Sequence, residues 1–379
     1  MHRRVIASIA LAILLAACSD DVGVVASSDS TLPGINTGSV ATTSGAPATT
    51  PAATGPVARN YDFTKPEVIA TGLSVPWGIA FLPDGSALVA ERISGRILQL
   101  RVGSAPQPVM TVPGVNPNGE GGLLGLAVSP TYAQDGLVYA YFTTSNDNRV
   151  ARFRLGAAPQ VIVSGIGASS VHNGGRIAFG PDGFLYVTTG DAAASSRAQD
   201  PANINGKILR VKADGSPADG NPFPASPVWS LGHRNVQGIA WDANGRLFAS
   251  EFGATAFDEV NLIQAGKNYG WPAVEGTGNN PAFVNPLVTW ATGVASPSGA
   301  AISGDSLYVA ALAGRRLWKI SITPTGVGTP QSLLEGQFGR LRTVVTAPDG
   351  ALWVATSNRD GRGSPTANDD RILRFVPTP

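Results

Sequence analysis

The sequence predicts an all-β fold, a six-bladed propeller of four-stranded antiparallel blades, on three observations: one short unit recurs six times, turn signals separate its runs, and helical periodicity is scarce. The first copy reads Pro76-Trp77-Gly78-Ile79-Ala80-Phe81-Leu82-Pro83-Asp84-Gly85, and residues 175–183 and 238–245 repeat it. Residues 122–130, 298–305 and 342–350 complete the set. Pro-Asp-Gly between short β-prone runs is a hairpin turn, because proline presets φ and glycine accepts the left-handed position. Asp84, Asp182 and Asp349 are therefore assigned to turns. Second strands are expected at 87–90, 185–188, 247–250, 307–310 and 352–355, and third strands at 95–100, 207–211, 316–320 and 371–375. Repeats of roughly 40 to 60 residues with about four strands each close into a propeller, whereas solenoid coils are shorter.

Ahead of the repeats, Arg3 and Arg4, the apolar run 5–15 and Leu15-Ala16-Ala17-Cys18 have the charged, apolar and small-residue regions of an export signal. That run is too short for a stable membrane span. Cys18, the only cysteine, sits where a bacterial lipoprotein box places its acylated residue; the alternative is an ordinary signal peptide with a chance cysteine. The expected organisation is a lipoprotein signal over 1–17, a lipidated Cys18 with a Ser/Thr/Ala/Gly/Pro-rich flexible tether over 18–60, and a propeller domain over 61–379. Such a protein belongs to the bacterial cell envelope, faces the periplasm and is held on a membrane by lipid alone, with Ser19 pointing to the outer membrane. Without residues 1–17 and their two arginines, 25 basic and 26 acidic groups leave a formal charge of −1. That balance offers no basic excess for nucleic acid.

At the mouths of the aligned strands stand Trp77, Glu120, His172, Arg234 with Asn235, Ser296, and Arg340 with Arg342. Equivalent positions in a propeller face one axis, so these residues form one pocket suited to an anion. His172, flanked by Gly174 and Gly175, is a candidate general base, with a purely structural hydrogen-bonding role as the alternative. Asp191 ends the strand that pairs with it, where it either orients the imidazole or caps a turn. Arg340 and Arg342, two apart, project to one side of an extended strand and suit carboxylates. Three inward arginines with Glu120 alone repel one another unless an anion is bound; the alternative is a structural salt-bridge network. Only His172 and His233 follow the signal, which leaves too few ligands for a His/Cys zinc site.

Six stretches carry a family resemblance: Gly119-Glu120-Gly121-Gly122-Leu123-Leu124-Gly125, the block from His172 to Asp191, Gly232-His233-Arg234-Asn235, Asp258-Glu259-Val260-Asn261-Leu262-Ile263, Asn268-Tyr269-Gly270-Trp271-Pro272 and Gly339-Arg340-Leu341-Arg342. Together and in this order they resemble the pyrroloquinoline-quinone (PQQ)-dependent glucose/sorbosone dehydrogenase family, most of all its aldose sugar dehydrogenase branch. The resemblance implies oxidation of aldoses at the anomeric carbon to lactones. In that reading His172 removes the hydroxyl proton while hydride passes to the quinone C5, Asp191 orients His172, and Arg234 polarises the reacting carbonyl. It further implies cofactor contacts at Glu120, Arg234, Asn235, Arg340 and Arg342. Calcium is implied at the carbonyls of Gly253 and Ala254 as a Lewis acid, and structurally at Glu259 and Tyr269. Electrons would pass to a periplasmic acceptor, and loops 195–205 and 275–286 would meet the sugar.

Three departures from the family stand out. Phe252-Gly253-Ala254 replaces a polar residue followed by Gly-Pro, Ala311-Leu312-Ala313-Gly314 replaces a lysine-bearing segment of the glucose branch, and Glu120 replaces a common glutamine. A non-catalytic lipoprotein propeller that binds sugars or surface polymers is the competing reading.

Overall fold

Six four-stranded antiparallel sheets follow one another along the chain of the computed structural model. It describes residues 59–378, so the expected signal, Cys18 and the tether up to residue 58 lie outside the described residues. The first strands of the blades are Pro76–Phe81, Leu123–Val128, Ile177–Phe179, Val236–Trp241, Pro297–Ser303 and Leu341–Thr346. Neighbouring first strands touch one another and surround the axis. Blade 6 is composite: Leu341–Thr346, Leu352–Thr356 and Ile372–Phe375 are completed by Glu67–Ala70 from the other end of the domain. Asn60–Tyr61, partly counted with the tether, pairs with Pro377–Thr378 and fastens the two ends.

The turn signals fold as expected. Asp84, Asp182 and Asp349 each accept the backbone N–H two residues on, at 2.9, 3.2 and 3.0 Å. The glycine that recurs after the first apolar residues has a different reason. A Cβ on Gly78 would lie 2.5 Å from the Leu124 carbonyl oxygen, and one on Gly238 2.4 Å from that of Ser298. At these points the next blade's first strand comes too close for any side chain. Apolar residues of facing sheets then fill six separate clusters, one between each pair of adjacent blades. The core is thus a ring of wedges, consistent with the even spread of buried residues over all six repeats.

Two irregularities recur at the same end of the blades. In five of them the register between first and second strand shifts soon after the first strand opens, for instance between Pro76 and Ile79 and between Leu341 and Thr343. Such bulges sharpen the local twist and re-aim side chains. A left-handed residue also precedes each first strand: Val75, Gly122, His172, Gly232, Ser296 and Gly339. These kinks turn the chain inward from the rim of one blade to the axis of the next.

Candidate active site

His172 adopts φ 57°, so its loop bends sharply over the axis. Its carbonyl would lie 1.9 Å from a Cβ at Gly190, which only glycine avoids. The bend places His172 Nδ1 at 2.8 Å from Asp191 Oδ1. Asp191 is itself fixed, since Oδ1 accepts the Ala193 N–H at 2.9 Å and Oδ2 accepts Trp271 Nε1–H at 2.8 Å. Burial raises the Asp191 carboxyl, but the bonds from His172, Trp271 and Ala193 outweigh it and hold the group below its ordinary range. In the neutral imidazole, donation of Nδ1–H to this carboxylate leaves the lone pair on Nε2.

Arg234 lies against Trp271, its guanidinium carbon 5.4 Å from the ring centre. Its backbone N–H donates to Glu251 and its Nη1 to the Phe252 carbonyl at 3.3 Å. Asn235 is fully buried, and its Oδ1 accepts the Gly174 N–H at 2.9 Å, bracing the His172 loop. Glu120 also braces that loop, with Oε2 accepting the His172 N–H at 3.0 Å. The expected ring therefore does converge on one end of the propeller, with two exceptions. Ser296 donates its N–H to Asp258, and Trp77 forms part of the floor under the Arg176 guanidinium at 4.1 Å. That floor is completed by Gln237, whose carbonyl accepts from Arg176 at 2.8 Å and whose Oε1 accepts from Arg342 at 3.2 Å.

Arg340 and Arg342 converge, but not on empty space. Both donate to Asp360 Oδ2, from Arg340 Nη2 at 3.0 Å and Arg342 Nη2 at 3.2 Å. The expectation that these arginines repel one another without an anion is thus corrected: a carboxylate from the loop after Leu352–Thr356 already lies between them. Arg362, two residues on, pairs with Glu120 at 2.8 Å. Arg92, which follows the second strand of blade 1, joins the same cleft and gives its Nη1 to the Gly119 carbonyl at 2.7 Å. Sequence reasoning missed Arg92, Asp360, Arg362 and the role of Trp271. One signal was available: Glu91, Asp191, Glu251 and Asp360 all stand at or just beyond the end of a second strand, a polar repeat parallel to the first-strand ring.

A cavity of about 180 Å³ opens between Arg92, Glu120, Phe252, Leu312, Arg342 and Asp360. The groups around it suit a ligand rich in acceptors. Among the described residues, Arg92 Nε in its wall is a buried donor with no acceptor, as are Arg234 Nε and Asn235 Nδ2 beside the His172 loop and Asp191. Burial pulls the Arg342 guanidinium down to about 9, with Arg92 adding to the effect, so an anion here is favoured. Quinone oxygens and carboxylates fit that donor set.

Among the described residues no group of three or more His, Cys, Asp and Glu side chains marks a metal site, although some of the oxygens expected to hold calcium have no donor. In the loop after Glu251, Gly253 N–H turns to Asp258 at 2.9 Å, and the amides of Ala254, Thr255, Ala256 and Phe257 converge on Glu275 Oε1 at 2.7, 3.0, 2.9 and 2.9 Å. Among the described residues, the Gly253 and Ala254 carbonyls accept no hydrogen bond. Glu259, buried beside Glu251, is pushed up to about 8 by burial and that second carboxylate, which a cation would relieve. The Tyr269 phenol is already engaged, donating to the Leu262 carbonyl at 2.7 Å, which leaves its backbone carbonyl as the available oxygen. His233 is structural: it is fully buried between Ser230 and Glu251.

Comparison with known proteins follows the same line. A family model described as Glucose / Sorbosone dehydrogenase matches residues 73–373. Among solved structures, the PQQ-bound form of aldose sugar dehydrogenase from Streptomyces coelicolor is 48% identical, with a TM-score of 0.81 over 86% of this chain and 100% of that one. The aldose sugar dehydrogenase YliI of Escherichia coli is 29% identical over 339 residues, 78% of this chain and 90% of its own. Quinoprotein glucose dehydrogenase B of Acinetobacter calcoaceticus is 31% identical over 260 residues, 58% of this chain and 54% of its own.

Proposed function

This chain belongs to the glucose/sorbosone dehydrogenase family, and we propose that it is a PQQ-dependent dehydrogenase that oxidises aldose sugars at the anomeric CH–OH. One observation carries the reading: a carboxylate-oriented imidazole is joined through Glu120 to an arginine-walled cleft, and buried donors without acceptors stand in both parts of the site. Pyrroloquinoline quinone, when bound, supplies the two-electron hydride acceptor.

The chain's own groups divide the remaining work. His172 Nε2 takes the proton of the anomeric hydroxyl, and the charge that develops on the imidazole lies against Asp191. Trp271 keeps the Asp191 carboxylate turned to the imidazole. Arg234 keeps an unused Nε–H for an oxygen that gains charge during the reaction. Arg92 Nε and Arg340 Nη1 offer further donors to carboxylates, while Asn235 contributes its unused amide N–H. The Gly253 and Ala254 carbonyls would hold calcium beside the cofactor, where it would act as a Lewis acid. Glu259 and the Tyr269 carbonyl would hold a second, structural calcium.

Acylation at Cys18, anchoring on the periplasmic side of the envelope and transfer of electrons to a periplasmic acceptor complete the proposal. It rests on the sequence of residues 1–18. A Cys18→Ser variant should leave the membrane fraction; full retention there contradicts lipid anchoring. For the activity itself, protein freed of cofactor and calcium and then given both should reduce a dye acceptor with aldoses and release lactones. No dye reduction, together with no cofactor binding in a titration, contradicts the dehydrogenase reading.

A further inference from the structure

Three guanidinium groups, of Arg92, Arg342 and Arg362, and the carboxylates of Glu120 and Asp360 wall the cleft, Arg340 reaches Asp360 from the neighbouring cavity, and their hydrogen bonds are unequally committed. Arg342 is the most committed: Nη1 gives one hydrogen to Gln237, Nε and Nη2 go to Ser357, and Nη2 also goes to Asp360, which leaves one Nη1–H. Arg340 spends Nε and Nη2 on Asp360 and keeps Nη1. Arg362 spends only Nη1, on Glu120, and its side chain remains 55% exposed. It stands with Leu312 between the cavity of about 180 Å³ and a neighbouring one of about 290 Å³, the latter also walled by Arg315 and Arg340. Asp360 aims it there, since Oδ1 accepts the Arg362 N–H at 2.9 Å while Oδ2 neutralises the inner arginines.

Glu120 completes the picture from the other wall. Its Oε1 accepts Arg362 and its Oε2 accepts the His172 N–H, so each carboxylate oxygen already has a donor. Its negative charge would also repel an anionic ligand at closer range. Resting on the PQQ reading above, we infer that Arg362 is a further contact for a carboxylate of the cofactor, and that Glu120 is a positioning residue that holds Arg362 and the His172 loop in one bracket. Cofactor grip and the placement of the base then share one side chain.

The test is a cofactor titration, followed by absorbance or fluorescence quenching at several salt concentrations, on wild type, Arg362→Gln, Arg362→Lys, Glu120→Gln and the Arg362→Gln/Glu120→Gln double variant. Loss of one charge-assisted contact should raise the PQQ dissociation constant of Arg362→Gln roughly 10- to 100-fold and flatten its salt dependence. Arg362→Lys should recover part of the affinity. Glu120→Gln should weaken binding when Arg362 is present and add little when it is absent. Wild-type affinity in Arg362→Gln would overturn the contact, and tighter binding in Glu120→Gln would overturn the positioning role. Wild-type protein that binds no PQQ would instead overturn the functional reading itself.

Discussion

His172, Asp191 and Trp271 form a single hydrogen-bonded line in which each group fixes the next. Removing the base by His172→Ala should cost roughly 10²- to 10⁴-fold in kcat while cofactor still binds, as dye-linked turnover and titration would show. Trp271→Phe keeps the ring and loses one hydrogen bond to Asp191. It should lower kcat about tenfold with little change in cofactor affinity; an unchanged kcat would remove Trp271 from the line. Because Asp191 is held below its ordinary 3.8, its charged form adds stability that is full above that value and is lost as pH falls through the folded-state value. In urea unfolding at a series of pH values, the advantage of wild type over Asp191→Asn should therefore shrink below about pH 4. His172 and Asp191 were legible because the repeat puts them at equivalent mouths. Trp271 lies 80 residues from Asp191 in a loop without repeat signal, so nothing in the sequence linked the two.

The blades share one element with variations: a left-handed residue ahead of every first strand, a bulge in five of the six, and in most a tight turn and a second strand that leads to a polar group. The strand and turn were legible from β-prone runs and Pro-Asp-Gly. The bulges were not, since a one-residue slip leaves the apolar pattern almost intact. Loops between strands escaped too, and with them Asp360 and Arg362. In the loop that follows Glu251, Glu275 gathers four amides on one carboxylate oxygen. Burial raises this carboxyl, and the four amides outweigh that and lower it, so the charged form is the brace. Glu275→Gln should loosen the loop and raise the calcium concentration needed for reconstitution about fivefold or more. An unchanged calcium requirement would mean that the loop holds its shape without the charge.

Over the whole molecule, closure depends on residues far apart in sequence. Glu67–Ala70 completes blade 6, where Arg374 pairs with Glu67 and, at 2.6 Å, with Asp349. Tyr61 donates to the Gly350 carbonyl at 2.8 Å and meets Tyr308 edge-on at 5.9 Å. Tyr61→Ala should therefore cost about 2 kcal/mol and lower the melting temperature by several degrees, without changing turnover at low temperature. Six blades could be counted in the sequence because each has its own first strand. That the last blade borrows its outermost strand from residues 67–70 was not legible, because this segment carries no copy of the repeat. The central claim is that an aldose gives hydride to bound PQQ while His172 takes the proton. It is tested most directly by mixing reconstituted protein with glucose in the absence of any acceptor and following the cofactor's absorbance. One turnover should convert the spectrum to that of reduced cofactor, slowed by deuterium at C1 and abolished in His172→Ala. A spectrum that stays unchanged with every aldose tried, although PQQ is bound, would contradict the account.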